Sequence, residues 1–221
     1  MAISVQTIIQ NARVLLQDTD AGGIRWVDSE LIAWLNEATA EVVRIHPEAN
    51  SKNVDMPLVA GTKQRIPNDG VQLINVVRNV GAGGAPGRVI RLIDHNIMNN
   101  ERPEWHMDPQ QPVVTRFTFD QKDPFTFYVY PPNNGSGQVT LVYSGAPDVV
   151  NQLSDSLPIP DIYAAPVVNY ICFRAWLKQV GDAASEQRAA SYLTLFNAAM
   201  GVKKTAEMET DPNARGLNGQ I

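Results

Sequence analysis

The spacing of apolar residues changes twice along this chain of 221 residues, and these changes constrain the fold more than any other feature. In roughly the first 50 residues the apolar side chains recur every three or four positions, as in amphipathic helices. From about residue 54 to 144 they alternate, as in strands, and after residue 151 the helical spacing returns. This order predicts an α+β fold, in which both ends of the chain form one helical bundle and an antiparallel β domain is inserted between them.

Residues 1–50 are predicted to form a helix pair that belongs to the bundle. The first helix ends at the turn-rich sequence DTDAGG, and the second is predicted to start at Asp28 or Ser29, whose side-chain oxygen would cap the free amides. Val27 would pack on Ile32 at this start, and Pro47 ends the helix. The predicted apolar faces are Val5, Ile8, Ile9, Ala12, Leu15 and Leu16 in the first helix, and Leu31, Trp34, Leu35, Ala38, Val42 and Ile45 in the second.

Residues 51–150 form the predicted β domain. Short runs rich in Val, Ile, Phe, Tyr and Thr, separated by turn residues, indicate a mostly antiparallel sheet or small sandwich. These runs are VDMPLV, KQRIP, VQLINVVRNV, RVIRLID, VVTRFTF, FTFYVY and QVTLVY. Residues 95–112 show no periodicity and contain three prolines, so we expect a long excursion from the sheet.

Two glycine-rich stretches, NNGSG and GAGGAPG, raise the possibility of a phosphate-binding loop. Such a loop needs a helix directly after it, because the helix N-terminus supplies positive potential. Here QVTLVY and RVIRLI follow, and both are typical of strands. We therefore interpret NNGSG as the turn of a β-hairpin and predict no nucleotide site.

Residues 151–204 are predicted to form an antiparallel helix hairpin. Asp161 would cap the first helix, Gly181 would end it, and Asp182 would cap the second. The apolar face of the second helix comprises Ala189, Tyr192, Leu193, Phe196, Ala199 and Met200. Residues 205–221 are polar and contain Pro and Gly, which predicts a mobile C-terminal arm.

The first helix of this hairpin, within IPDIYAAPVVNYICFRAWLKQV, is apolar nearly all round. A helix of this kind must be covered on more than one side. Two interpretations stay open: it is the central helix of the bundle, or one of its faces is buried against another subunit. The residues concerned are Tyr163, Tyr170, Arg174 and Trp176, and Arg174 needs a partner inside the bundle or across an interface.

Candidate catalytic residues are few. His95 and His106 have Asp94, Glu104 and Asp108 nearby in sequence, but they lack the helical or short-loop spacing of metal ligands. Cys172 lies between large apolar residues, which favours a buried position over a reactive thiolate. We predict a protein that is not an enzyme and has no cofactor or metal; the low-ranked alternative is a metal-dependent enzyme that uses the His95–Asp108 loop.

Charge and hydropathy restrict the partners. The formal net charge of −5 argues against a protein that reads nucleic acid, because no basic field attracts phosphates. We also expect no membrane partner, because there is neither a secretory signal pattern nor an apolar run long enough to cross a bilayer. The lone cysteine excludes an internal disulfide and fits a reducing cytoplasm.

Three segments together resemble the head-to-tail adaptor, or connector, proteins of tailed bacteriophages. They are ELIAWLNEATAEVVRIHP, FTFYVYPPNNGSGQVTLVYSGAPD and LPIPDIYAAPVVNYICFRAW. The resemblance implies a helical bundle with a β insertion that assembles as a homo-oligomeric ring, commonly of twelve subunits. It also implies a virion structural protein, made in the host cytoplasm and located at the head–tail interface.

The resemblance further implies partners. The ring would dock under the portal protein, extend the DNA channel and receive a downstream tail or nozzle protein, while the genomic DNA passes during ejection without specific binding. The C-terminal arm would bind the portal through Asn213, Arg215, Leu217 and Ile221. The alternative within the same class is another tail, nozzle or tail-completion protein of the virion.

Overall fold

The computed structural model describes residues 2–19, 25–120, 122–179 and 182–210, with side chains as far as residue 201. The chain divides into two units. We call Met1–Ala49 with Pro147–Ile221 the helical unit and Asn50–Ala146 the β unit. Helices from the N- and C-terminal parts of the chain flank a β region, so the predicted α+β class is confirmed.

The helical unit contains α1 (Val5–Leu16), α2 (Asp28–Ile45), α4 (Ala164–Leu177) and α5 (Ala183–Thr210). Short 3-10 helices, Pro47–Asn50 and Asp161–Tyr163, follow α2 and precede α4. The β unit contains β1 (Ser51–Pro57), β2 (Gly61–Arg65), β3 (Gly70–Val80), β4 (Pro86–Val89), β5 (Arg91–Leu92), β6 (Arg116–Phe119), β7 (Thr126–Asn133) and β8 (Gln138–Gly145). A short helix, α3 (His95–Glu101), and a 3-10 helix, Trp105–Met107, lie between β5 and β6.

Helix α4 lies at the centre of the helical unit, where it packs against α1, α2 and α5. Its buried residues are Pro166, Val167, Val168, Ile171, Cys172, Ala175 and Trp176, which do not form a single stripe. Because apolar residues surround this helix, it needs neighbours on several sides, and the flanking helices supply them. The apolar faces predicted for α1, α2 and α5 cover α4, with one exception: Leu15 of α1 was predicted to belong to such a face but is 47% exposed.

The start of the chain is fastened to the segment that precedes α4. The backbone amides of Val5 and Gln6 donate to the carbonyls of Asp155 and Leu153, and the Leu157 amide donates to the Ile3 carbonyl. Asp161 was predicted to cap α4, but its carboxylate instead accepts a hydrogen bond from the Ile3 amide at 2.9 Å. These bonds satisfy backbone groups beside α1, which Ser4 caps by accepting from the Thr7 amide.

The predicted cap of α2 is wrong, because the N-cap position is Val27 and Asp28 is already helical. The Asp28 carboxylate accepts a hydrogen bond from Arg13, a residue of α1. Arg13 also pairs with Asp18 and donates to the Trp26 carbonyl at 3.0 Å. The Asp28 carboxylate, which was predicted to cap α2, therefore forms an ion pair between α1 and α2 instead.

The second predicted cap of the hairpin is confirmed at α5. The Ala184 amide donates to Asp182 Oδ1 at 3.1 Å, and Ser185 Oγ donates to Asp182 Oδ2 at 2.7 Å. Helix α5 extends to Thr210 and thus includes residues 205–210, which were predicted to begin the mobile arm. Within residues 205–221, glycine and proline occur only after Thr210, so the sequence of residues 205–210 is compatible with a helix.

Within the described residues, the β unit has two four-stranded sheets with the strand orders β1-β8-β3-β4 and β2-β7-β6-β5. The pairings are antiparallel except that β5 and β6 are parallel. Both sheets contribute to one core, as in the predicted small sandwich. This core comprises Leu58, Ile66, Leu73, Val76, Ile90, Val114, Phe117, Phe127, Val129, Val139, Leu141 and Tyr143.

The NNGSG turn was correctly predicted as a turn, but the hairpin is wrong. It connects β7 and β8, which belong to different sheets. Strand β8 lies between β1 and β3, and β7 lies between β2 and β6, so other strands already occupy the edges that a hairpin would use. The turn therefore carries the chain from one sheet of the sandwich to the other.

Asn133 holds this turn in place and is fully buried. Its Oδ1 accepts from the amides of Gly135 at 2.8 Å and Gly137 at 3.2 Å. Its Nδ2 donates to the carbonyls of Gln111 and Pro112 at 3.1 and 3.2 Å. One amide side chain thus satisfies four backbone groups and joins the turn to the segment before β6.

We expect the substitution Asn133→Ala to destabilise the protein by about 2–4 kcal/mol, because it leaves buried amides and carbonyls without partners. Asn134→Ala is the matched control, since Asn134 is exposed and its Oδ1 accepts only from Ser136, at 3.0 and 2.7 Å. The control should cost less than about 1 kcal/mol. Urea unfolding of both variants measures the difference, and equal losses would contradict the role of Asn133.

Candidate functional site

The helical unit has a groove of about 420 Å³ lined by residues of α2 and α4. Its lining consists of Glu30, Trp34, Arg174, Leu177 and Lys178. Trp34 is largely buried and Leu177 is 50% exposed, so the groove offers apolar surface between charged side chains. An apolar centre with a charged rim is the composition of protein-docking surfaces.

Two ion pairs connect α2 and α4 along this groove. Lys178 pairs with Glu30, and Arg174 pairs with Glu37 through Nε–Oε2 at 3.2 Å and Nη2–Oε1 at 3.3 Å. Arg174 therefore has a partner inside the helical unit. Because both groups of each pair are partly exposed, water screens them and each pair contributes at most about 1 kcal/mol to stability. Such pairs can exchange partners when another protein binds.

The sequence could have indicated this groove through helical spacing. Glu30, Trp34 and Glu37 follow one another at intervals of four and three on α2. Arg174 of α4 and Lys178 at the C-cap of α4 are four apart. These intervals place the acidic residues on one face and the basic residues on another. Which two faces meet depends on the packing of the helices, and the sequence alone does not contain that information.

The four residues predicted for the core or a subunit interface occupy two environments. Tyr163 is 1% exposed and Trp176 is 7% exposed, and both belong to the core of the helical unit. Tyr170 and Arg174 are partly buried at its edge, where the Tyr170 ring contacts Phe173 and Phe196. A subunit-interface role for any of the four stays a prediction.

The predicted portal-binding residues Asn213, Arg215, Leu217 and Ile221 lie outside the described residues, as do residues 211–221 as a whole. Among the helices of the described chain, none combines the length and apolar character needed to cross a bilayer.

The segment around His95 and His106 leaves the sheet between β5 and β6, as predicted, and it forms α3 and a 3-10 helix that packs against β7. Trp105 is 1% exposed and stacks on His106, with ring centroids 3.7 Å apart. His106 Nδ1 lies 2.8 Å from Thr62 Oγ1, and the ring of Tyr128 packs against both histidines. Burial, and then the nearby charge of His95, lower the pKa of His106. The histidines therefore serve an aromatic cluster.

This segment does not bring together the side chains that a metal site needs. Within the described parts of the chain, no group of three His, Cys, Asp or Glu side chains is placed to hold a metal ion. Asp108 instead pairs with Arg102, with Nε and Oδ2 2.8 Å apart. The Arg102 guanidinium also lies 5.6 Å from the centre of the Tyr130 ring.

Cys172 is fully buried in the core of the helical unit. Its Sγ lies 4.0 Å from the Ala12 carbonyl oxygen. Burial raises the pKa of this thiol to about 12, so the thiolate, which is the nucleophilic form, is scarce at neutral pH. The position matches the small buried apolar residue that its sequence context predicts.

Comparison with known proteins assigns a family. The model of the SU10 adaptor protein family matches residues 3–216. No curated protein matches. Among solved structures, a chain of the "Neck of empty GTA particle computed with C6 symmetry" is 14% identical, with a TM-score of 0.30, and the match covers 82% of this chain and 81% of that chain.

We expect Cys172 to be unreactive toward a thiol reagent such as DTNB in the native protein and fully reactive in urea. The native rate should be at least about a hundredfold lower than the rate for an exposed thiol, because both burial and the raised pKa suppress the thiolate. Raising the pH from 7 to 9 should increase the native rate by about a hundredfold, because the thiolate fraction rises tenfold per pH unit below the pKa of about 12, and the native rate should still stay below that of an exposed thiol. Rapid native labelling would instead indicate an accessible, activated thiol.

Proposed function

Because the chain belongs to the SU10 adaptor protein family, we propose that it is a head-to-tail adaptor of a tailed phage particle. In this proposal it is a structural protein of the virion at the junction of head and tail, made in the host cytoplasm. The observation that carries the proposal is the family match, which extends over residues 3–216 and thus includes both units.

The chemistry of the described residues supports a structural role. His95 and His106 belong to an aromatic cluster, Cys172 is buried with a raised pKa, and the groove of the helical unit is lined by ion pairs around an indole. Each of these arrangements serves packing or docking. A general base, by contrast, needs a group poised near neutral pH within reach of a substrate.

The proposed assembly is a ring of copies of this chain, with twelve as the expected number. In such a ring one surface of each copy contacts a different surface of the next. The portal protein would hold the copies at the correct rotation, and the opposite face would receive a tail or nozzle protein. The groove between α2 and α4 is a candidate surface for one of these contacts, because it combines exposed Leu177 with ion pairs that can exchange partners.

The genomic DNA would pass through the ring without specific binding. The net charge of −5 supports this proposal, because acidic surfaces repel phosphates and weaken any contact that would slow passage. The excess of acid lies in the helical unit, which has 15 Asp and Glu against 9 Lys and Arg.

We expect the isolated chain to be a monomer or small oligomer and to form rings when portal protein is added. The reason is that a head-to-tail contact closes only at the right rotation, which a template can impose. Light scattering of the chain alone and with portal measures the change in mass. A stable twofold dimer whose mass portal does not change would contradict the proposal.

The last residues of the chain provide a test of portal docking. We expect deletion of residues 211–221 to reduce portal binding by roughly tenfold or more, because Arg215, Leu217 and Ile221 would anchor an extended arm. Thermal stability should change little, since the last core residue of α5 among the side chains that the structure describes is Met200, well before the deleted segment.

A matched pair of substitutions separates a sequence-specific arm from a chain end that only adds bulk. Leu217→Ala with Ile221→Ala should weaken portal binding nearly as much as the deletion, whereas Asn218→Ala with Gln220→Ala should not. If the truncated chain still binds portal with the affinity of the full chain, the arm has no docking role and the contact must lie on the described units.

A further inference from the structure

A row of cationic and aromatic side chains crosses the second sheet of the β unit. Arg91 of β5 is the register partner of Arg116 of β6, and Arg116 is in turn the partner of Tyr130 of β7. Register partners on neighbouring strands lie about 5 Å apart and share a face of the sheet. Arg102 extends this row, because its guanidinium lies over the Tyr130 ring. We call Arg91, Arg116, Tyr130 and Arg102 the arginine row.

The arginine row lies on the outer face of the sheet. Arg91, Arg116 and Arg102 are exposed, whereas Phe117, the next residue after Arg116, points into the core and is 2% exposed. Burial raises the pKa of the Tyr130 hydroxyl most, its hydrogen bond with Asp108 raises this pKa further, and the charges of Arg102 and Arg116 oppose the rise. Both guanidinium groups are therefore near this hydroxyl.

The row has more positive than negative charge. Asp108 pairs with Arg102, but Arg91 and Arg116 make no ion pair with any residue that the structure describes. Two like charges directly opposite each other on neighbouring strands destabilise a sheet. The repulsion between Arg91 and Arg116 therefore destabilises the β unit when nothing is bound. An anionic partner bound at this pair would remove the repulsion.

Apolar side chains border the row. Leu92 follows Arg91 in β5, the last strand of its sheet. As the register partner of Phe117 it points to the opposite face from Arg91, but at this sheet edge it is 57% exposed. Val89, at the end of β4, is 64% exposed. Exposed aliphatic side chains beside arginines and a tyrosine are the composition of a protein interface, in which Arg and Tyr are enriched. A nucleic-acid backbone offers these aliphatic groups no apolar partner.

The chain itself carries the complementary charge. The helical unit has a net charge of −6, whereas the β unit, with nine Lys and Arg and eight Asp and Glu, has a net charge of +1. Exposed carboxylates of the helical unit include Asp148 and Glu186. A contact between unlike surfaces of successive copies is the kind that builds a ring.

We propose that the arginine row of one copy docks on the acidic helical unit of the next copy, and that this contact joins neighbouring subunits. The inference rests on the proposed ring function and specifies which surfaces meet. Arg91 and Arg116 supply the charges, and Tyr130 and Arg102 form the adjoining part of the surface. Val89, and Leu92 at the edge of the sheet, are buried at the border of the contact.

Charge reversal tests this contact. We expect Arg91→Glu with Arg116→Glu to weaken ring formation on portal by about tenfold or more, and added NaCl to weaken it in the unmodified chain. Arg91→Lys with Arg116→Lys should assemble almost normally. Lys122→Glu, compared with Arg116→Glu alone, is the matched control, because it makes the same change of charge at an exposed position of the same unit and should leave assembly intact. Circular dichroism and thermal melting confirm that each variant is folded.

A crosslinking experiment identifies the two surfaces without disturbing the charges. Benzoylphenylalanine is placed at position 92, and labelled and unlabelled copies are mixed so that crosslinks between copies can be recognised by mass. We expect crosslinks from position 92 to peptides within residues 1–49 or 147–210 of a second copy. Crosslinks to the β unit of the second copy, or to portal alone, would overturn the inference.

The outcomes separate the inference from the function on which it rests. If the unmodified chain does not assemble on portal, both the adaptor function and the inference about the arginine row are contradicted. If the unmodified chain and the charge-reversed variant assemble equally well, the adaptor function stands and only the inference falls. A labelled DNA duplex supplies a further readout: duplex binding that is lost in the charge-reversed variant, with assembly unchanged, would assign the row to DNA and overturn the docking of copies.

Discussion

The burial of α4 is the constraint on which the helical unit depends. A helix with apolar residues around most of its circumference cannot be stable with one side exposed to water, so α1, α2 and α5 must cover it. Two of these helices precede the β unit in sequence and one follows α4. The chain must therefore bring its N-terminal residues back to α4, and the hydrogen bonds between residues 3–6 and 153–161 fix that return. Residues 50–146 then form a separate unit with its own core, as an insertion between two parts of one bundle.

The same constraint limits where other proteins can bind. Tyr163 and Trp176 are used inside the chain, so the apolar character of α4 does not by itself imply a partner. The surfaces left for docking are of a different kind: a groove with exchangeable ion pairs between α2 and α4, and an arginine row on the β unit with exposed aliphatic neighbours. Both combine charge with apolar area, which favours partners that fit by shape and by sign. In the proposed ring this is a useful property, because each copy would bind its own neighbours as well as the proteins above and below it.

The periodicity of apolar residues predicted the helices and strands well, because buried side chains recur at different intervals in helices and in strands, and these intervals can be seen in the sequence. The errors concern interactions over long sequence distances. Asp28 and Asp161 have the chemistry of caps, yet Arg13 and the Ile3 amide lie closer in the fold and take their carboxylates. NNGSG has the composition of a turn, but whether a turn joins partners or crosses between sheets depends on which strand edges are already occupied. The groove depends on the packing of two helices, and the arginine row depends on the register of three strands. The sequence alone contains neither, so neither surface was predicted. The order of the elements and the adaptor resemblance, by contrast, followed from local sequence, and the family match confirms the resemblance.

Electron microscopy of the chain assembled with its portal and tail proteins tests the adaptor account most directly. The account predicts a closed ring of identical subunits between the portal and the tail, with an open path for DNA along its axis. In a map that resolves side chains, the α2, α4 and α5 bundle should be recognisable in every subunit. A particle in which this chain is absent from the head–tail junction, or is bound at some other position of the virion, would contradict the account.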